Sequence, residues 1–392
     1  MGCGASVPAQ EPAEGKPTAA PVTAADKELD DAAALIQGAA VSTSLALEVA
    51  APAAAAPAAT PAPAPAAAAP AAAPAATPAE AVPAAAPAMQ SAFVFTKPHA
   101  NTEAVRELVS AKFAAMGITV VVEGDMDGPT IDSNKHIDQH YYAIASKATL
   151  LKPSELNVPK EKFSAQFEEE WDAVLEAGRV VNAMDALEKF GVDVPTLNTH
   201  WVEAQDAKKI VKLGGGFYCA LVTVGEQEPL YVLNAFFMTM RSKFTSAEAK
   251  IHYYVVEFDP AVLPWADFRG KVLGPTDPGA APADSLRGTL HTDWEKLGMA
   301  AAPNTSDNGV HASASPFEGL AERMNWLGRS VADDAFGKKL LDAGISEEMI
   351  KAWSVDPQVS LGDDKKGSIF DQLEDKDLED CAAKAVELSK LQ

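Results

Sequence analysis

Three short segments hold the residue types that can do covalent chemistry. Asn308-Gly309-Val310-His311-Ala312-Ser313-Ala314-Ser315 places an amide and hydroxyls around one histidine. Leu273-Gly274-Pro275-Thr276-Asp277-Pro278 is followed by Ser285-Leu286-Arg287-Gly288. Val94-Phe95-Thr96-Lys97-Pro98 puts a lysine directly after an apolar run. A neutral imidazole, with an ordinary pKa of about 6.5, keeps a ring lone pair at neutral pH and can take up and release a phosphoryl group. Such transfer depends on positioning and charge stabilisation, and Lys97, Arg287 and Thr276 are the cation and donor set for it. Asn308, three positions before His311, can bond a ribose hydroxyl. Ser313 reads as a hydroxyl that shapes the site. His136, His200, His252 and His291 have no such company and read as structural or solvated. Gly214-Gly215-Gly216 reads as a turn, because no Gly-Lys-Ser/Thr ending follows it.

In this order the segments resemble the nucleoside diphosphate kinase family. That family has a strand ending in Lys-Pro, a Gly-x-Thr-Asn/Asp-Pro segment, an Arg-Gly, and then Asn-x-x-His-Gly-Ser-Asp-Ser. The Gly-Pro-Thr-Asp-Pro and Ser-Leu-Arg spellings resemble its divergent, often flagellum-associated branch. The resemblance covers about 92–151 and 233–326. It implies an α/β (α+β) fold with a ferredoxin-like core and an antiparallel sheet. It also implies a kinase moving the γ-phosphate of ATP to nucleoside diphosphates through phospho-His311, with Mg2+ on the polyphosphate. Lys97, Thr276, Arg287 and, as the second arginine, Arg269 would hold phosphates, with Lys97 also touching the sugar. Asn308 would hold the ribose, and Tyr141 would face the site. Phe236, in Ala235-Phe236-Phe237, would stack the base, and Glu322 would orient His311.

The departures are specific. His99 follows Lys-Pro where the family has Asp, Ala312 and Ala314 replace Gly and Asp, and Ala143 stands at an Asp position. Gly270 falls where the second arginine is expected. Tyr141 and Phe236 lie 95 positions apart, where the family keeps them close, so an insertion, read at about 153–229, must sit beside the nucleotide. These departures keep a second reading open: a membrane-tethered nucleotide-binding scaffold or sensor with little turnover.

Composition narrows the classes. Of 392 residues, Asp and Glu outnumber Lys and Arg by 55 to 32, for a formal charge of −23. That excludes sequence-independent binding to nucleic acid and adsorption to anionic lipid through basic patches. A nucleotide-handling protein of this charge must gather its cations inside one site. Three cysteines with no zinc or disulfide spacing indicate a reducing compartment. Residues 1–90 hold half of the 28 prolines among alanine runs and cannot offset the entropy of their own ordering, so they read as a disordered tether. The start Met1-Gly2-Cys3-Gly4-Ala5-Ser6 matches the pattern for myristoylation at Gly2, with Cys3 beside it for palmitoylation. The expected partners are therefore ATP and nucleoside diphosphates, plus a membrane's cytosolic face reached through acyl chains. A flagellar location follows if the branch resemblance holds, and a homo-oligomer stays open.

The elements that must position the chemistry follow from hydrophobic spacing. A strand is predicted at 92–96, a helix at 102–116 capped by Thr102, and a strand at 118–122 followed by a polar turn at 124–128. A helix follows at 136–147. The insertion, expected to be mostly helical, has helices at 161–176, 180–190 and 201–213, with strands at 217–224 and 231–233. A helix at 236–243, a strand at 251–258, a short helix at 265–272 and a helix from 312 to 326 complete the domain of 91–330. Residues 331–392 read as an acidic helical extension, with helices at 347–353 and 378–388 and its acidic run on a solvated face.

Overall fold

The computed structural model describes residues 88–392. Gly2, Cys3 and the Ala/Pro tract lie outside the described residues. Strand β1 (Gln90–Thr96) buries Ala92, Phe93, Val94 and Phe95 completely, so both its faces are covered. Helix α1 (Glu103–Ala115) starts where the Thr102 hydroxyl accepts from Val105 N at 3.2 Å, and it buries Val105, Val109 and Phe113 on one stripe. Gly117, at φ +68°, ends it. Strand β2 (Thr119–Asp127) runs through the segment expected as a polar turn. Asp125 and Asp127 stand opposite His252 and Lys250, and Asp125 accepts from His252 Nδ1 at 2.7 Å and from Lys250 Nζ at 3.3 Å. Cross-strand charge pairs thus extend a strand that apolar spacing would end.

Next come α2 (Gly128–Ser133) and α3 (His136–His140), and then the insertion. It contains α4 (Lys160–Phe167), α5 (Trp171–Glu176), β3 (Val180–Asn182), α6 (Ala183–Phe190), α7 (Val194–Asp206), β4 (Ile210–Gly214), β5 (Phe217–Val222) and β6 (Leu230–Leu233). The domain resumes with α8 (Phe236–Thr245), β7 (Lys250–Phe258), α9 (Leu286–Asp293), β8 (Val310–Ala312) and α10 (Pro316–Leu327). The extension contributes α11 (Ala335–Asp342), α12 (Glu347–Trp353), β9 (Gln358–Gly362), β10 (Lys365–Ser368), α13 (Ile369–Leu373) and α14 (Leu378–Ser389).

The chain is a mixed helix-and-sheet structure, and its sheets are antiparallel except for one strand pair. The central sheet has the order β2-β7-β1-β8, every neighbour antiparallel. Its strands enter as β1–α1–β2 and then β7–α9–β8, with β1 and β7 innermost. One face packs Val94, Tyr254 and Val256 against α1 and α9. The other packs Phe93, Phe95 and Val255 against Trp326 of α10 and Phe244 of α8.

The insertion has its own sheet, order β3-β6-β5-β4, with β3 and β6 parallel. Two stretches expected as helix belong to it. Val180 and Val181 pair with β6, and Ile210–Gly214 pairs with β5. Burial on a sheet has overridden helical spacing there. The insertion is held at its root by buried polar groups. Arg241 Nε donates to both Asp138 oxygens at 2.9 and 3.1 Å, and Asn234, at φ +48°, donates to Ile144 O at 3.0 Å and Gly216 O at 2.8 Å.

The extension shares a core with the domain. Phe317 and Leu320 of α10 pack with Phe336, Leu340, Trp353 and Leu388. A buried ion pair, Arg323 Nε to Asp334 at 2.7 Å, closes the joint. Among the described residues no helix is long and apolar enough to cross a membrane.

Candidate active site

A cleft of about 1100 Å³ opens where the ends of β1 and β8 meet the 273–277 loop, the root of the insertion and the extension. Lys97, Tyr141, Phe236, Arg269, Thr276, Arg287, Asn308, His311 and Glu322 all line it. Positions spread from 97 to 322 are thus brought to one wall system, although they do not all face it in the same way.

His311 lies on β8, a short strand that runs to Ala312, where a helix is expected to begin; α10 begins only at Pro316. It pairs with Phe95 of β1, and the two rings stack at 4.8 Å. A strand fixes the imidazole against the sheet with little freedom. Its Nε2 meets Glu322 Oε1 at 2.5 Å. Glu322, on α10, is 5% exposed, and its other oxygen accepts from Ser313 Oγ at 2.6 Å. Ser313 Oγ also accepts from Phe93 N at 2.8 Å and reaches Phe93 O at 3.0 Å. This hydroxyl can therefore donate to an ionised Glu322, or turn to Phe93 O and accept from a protonated one, with no group left unpaired. Burial pushes the Glu322 carboxyl up to about 8, against the opposing pulls of Ser313 and Arg323. His140 completes the group. It is buried, stands edge-on to His311 at 4.5 Å, and places Nδ1 3.4 Å from Glu322 Oε1. Burial, with His311 and Lys97 nearby, holds its pKa well below the usual histidine range, so its ring is neutral. The sequence shows His140 only as the neighbour of Tyr141. Nothing local marks it as a partner of Glu322, because the contact spans β1, α3 and α10.

The cation and donor groups stand around this dyad. Lys97 N donates to Gly309 O at 2.8 Å, which ties β1 to the loop before His311, and its Nζ reaches Ser306 O at 3.4 Å. Arg287, in the first turn of α9, donates through Nε and Nη2 to Val310 O at 3.2 and 2.9 Å and through Nη1 to Gly274 O at 2.9 Å. It therefore clamps the 273–277 loop to β8 while lining the cleft. Gly274 is required there: its φ is +88°, and a Cβ would stand 2.6 Å from Ser285 Oγ. Asn308 donates to Thr276 O at 3.4 Å, while its Oδ1 is buried and has no hydrogen-bond partner among the described residues. An orphaned acceptor in a cleft wall calls for a ligand donor.

Three expectations are altered by the packing. Phe236 is only 1% exposed. It sits in the insertion core, edge-on to Tyr218 at 5.7 Å and near Trp201 at 6.0 Å, so it offers no open face for a base. Arg269 lines the cleft, but its Nη1 is bound to Glu374 at 2.6 Å and Asp375 at 2.7 Å. Those two carboxylates of the acidic run thus pair with the cleft wall, although Asp375 stays half exposed, as a solvated face would have it. His99, at the family's Asp position, bonds Asp307 O at 3.0 Å, and burial lowers it to about 4 over the counter-pull of Asp307. Tyr141 sits edge-on to His140 at 4.7 Å on the rim.

No protein-family model and no curated protein matches this chain. Among solved structures it is similar to an NDP kinase from Pyrobaculum aerophilum, with 16% identity, 61% of this chain and 96% of that one covered, and a TM-score of 0.29. It is likewise similar to the nucleoside diphosphate kinase from Encephalitozoon cuniculi, with 12% identity, 62% and 91% covered, and a TM-score of 0.30.

Proposed function

We propose that the chain is a nucleoside diphosphate kinase-like phosphotransferase that carries a phosphoryl group on His311. The observation that carries this reading is the buried Ser313–Glu322–His311 chain, which ends in a cleft with Lys97, Arg287, Thr276 and the unpaired Asn308 carbonyl. The central sheet order, β2-β7-β1-β8, supports the ferredoxin-like core that the sequence resemblance implies.

The residues divide the work. The contact of Glu322 with Nε2 supports transfer through the other ring nitrogen, Nδ1. The Nδ1 lone pair forms a bond to the γ-phosphorus of ATP. The bond from that phosphorus to its bridging oxygen breaks, and the electron pair leaves on ADP. The Nε2 proton stays shared with Glu322, whose negative charge balances the phosphorylated ring. An acceptor nucleoside diphosphate takes the group back by the reverse step. Lys97, Arg287 and Thr276 hold the polyphosphate in line, and Asn308 takes the sugar hydroxyl. Mg2+ fits as a cation carried by the polyphosphate, because it prefers phosphate and water oxygens and the cleft offers Asp277 beside Thr276. When bound it neutralises phosphate charge. The acylated N-terminus would hold this domain at a membrane's cytosolic face.

Incubation with γ-labelled ATP should give an acid-labile, base-stable phosphoprotein. The variant His311→Ala should stay folded and take no label. Unchanged labelling of that variant would exclude His311 as the carrier.

The scaffold reading has two observations in its favour: Arg269 is paired with carboxylates of the extension, and Phe236 is covered. Stoichiometric nucleotide binding with no label on His311 would select it.

A further inference from the structure

We propose that His140, His311 and Glu322 form a binding site for a zinc-class divalent cation, and that the bound ion silences His311. Mg2+ on a polyphosphate is a different ion at a different place, and the binding half of this proposal does not depend on the phosphotransfer reading.

The three donor atoms come from three separate elements, α3, β8 and α10, and lie within 4.8 Å of one another. All three side chains are mostly buried, at 6%, 17% and 5% exposure, yet each borders the cleft, so an ion has a way in. Two imidazoles and one carboxylate with an open fourth side is the donor set of a three-protein-ligand zinc centre. At metal–ligand distances of about 2.1 Å, tetrahedral ligands stand about 3.4 Å apart. His140 Nδ1 and Glu322 Oε1 already have that separation, 3.4 Å. His311 Nε2 and Glu322 Oε1 are closer, at 2.5 Å, because a proton joins them. The ion takes that proton's place, the pair opens by somewhat less than 1 Å, and the proton leaves to solvent.

The surroundings suit this exchange. Ser313 fixes the second carboxylate oxygen at 2.6 Å, an outer contact that orients a ligating carboxylate. Phe95 stacks on the His311 ring and Tyr141 stands edge-on to His140, while Trp326 Nε1 donates a long hydrogen bond of 3.5 Å to His140 Nδ1, a contact that the ion would replace as the donors, up to 4.8 Å apart, close on it. The donor set also selects. Two nitrogen ligands suit Zn2+ or Co2+, whereas Mg2+ prefers oxygen. An ion on Nε2 withdraws electrons from the His311 ring and removes the Glu322 charge that would stabilise a phosphorylated imidazole. Loading the site therefore stops transfer.

The test uses the full chain without nucleotide. Titration with Co2+ should give the intense visible bands of a four-coordinate site at one ion per chain. Zn2+ should bind by calorimetry with release of about one proton. His140→Ala should weaken Zn2+ by ~100-fold or more, since loss of even an outer contact costs about 10–100-fold. Equal Zn2+ affinity in parent and variant, or six-coordinate Co2+ spectra, overturns the proposal. X-ray absorption of the zinc-loaded parent decides the ligand set even if the variant misfolds: two imidazoles bound to the ion support the site, and fewer refute it. A separate arm measures His311 labelling. Zn2+ should abolish it, and a zinc-selective chelator should restore it. Failure of that arm alone, with binding intact, removes the silencing half of the proposal. Absence of any label in metal-free protein instead refutes the phosphotransfer reading.

Discussion

At the scale of single residues, the chemistry turns on where one proton sits. Glu322 and His311 share it across 2.5 Å, and burial raises the carboxyl to about 8. Below that pH the carboxyl is protonated toward Ser313 Oγ, and the negative charge that balances a phosphorylated ring is lost. Above it the carboxylate is ionised and accepts from Nε2. The rate of His311 labelling should therefore rise with pH through about 8. In Glu322→Gln the amide carries no charge at any pH, so that step should disappear and the rate should stay low. A parent profile that is flat across this range, or one that is the same in both proteins, contradicts the proposed role of Glu322. Phe236 gives a different kind of prediction. As a fully buried ring between Trp201 and Tyr218, its replacement by Ala should cost about 3–5 kcal/mol of stability, measured by urea unfolding. A base-stacking residue on the cleft surface would instead lose nucleotide affinity with little change in stability.

At the scale of elements, the extension and the cleft oppose each other through one arginine. The loop after α13 brings Glu374 and Asp375 onto Arg269, which then has its charge spent on carboxylates before any phosphate arrives. Removing both acids should release Arg269 toward the polyphosphate. The double variant Glu374→Ala/Asp375→Ala should bind ATP more tightly by ~10-fold, about 1.4 kcal/mol. Unchanged affinity by calorimetry would place Arg269 outside the nucleotide site. The 273–277 loop works the opposite way. Arg287 clamps it to β8 by three hydrogen bonds, which tie the Gly274 carbonyl to that of Val310, the residue before His311.

At the scale of the molecule, the central sheet, the second four-stranded sheet and the C-terminal helices are joined by shared cores and buried ion pairs. The insertion is rooted by Asp138–Arg241, and the extension is joined through Arg323–Asp334 and the outer face of α10. That helix also carries Glu322. A chain cut after Ser330 would bare Phe317 and Leu320, both fully buried in the intact protein. It should express as aggregated material, or unfold well below the intact chain in thermal melts. A soluble truncation with the parent's melting point would show that the extension is a separate body.

Much of the site could be read from the chain alone, because its parts are local. Lys97-Pro98, Gly274-Pro275-Thr276 and Asn308 to His311 each carry a short-range geometric reason: a strand end, a left-handed glycine turn, a donor near a candidate nucleophile. The innermost strands were equally plain, since β1 and β7 are apolar runs between turn residues. What the sequence could not show are contacts between elements far apart in the chain. β2 continues past Val122 only because Asp125 meets His252 and Lys250 across the sheet. Phe236 has no open face because the insertion folds its core over it, and Arg269 has its charge paired with residues more than one hundred positions away. His140 became a partner of Glu322 through α3 packing on α10. Residue type and spacing determined which groups can do chemistry. Burial and long-range pairing decided which of them face the cleft, and those energies exist only once the elements have met.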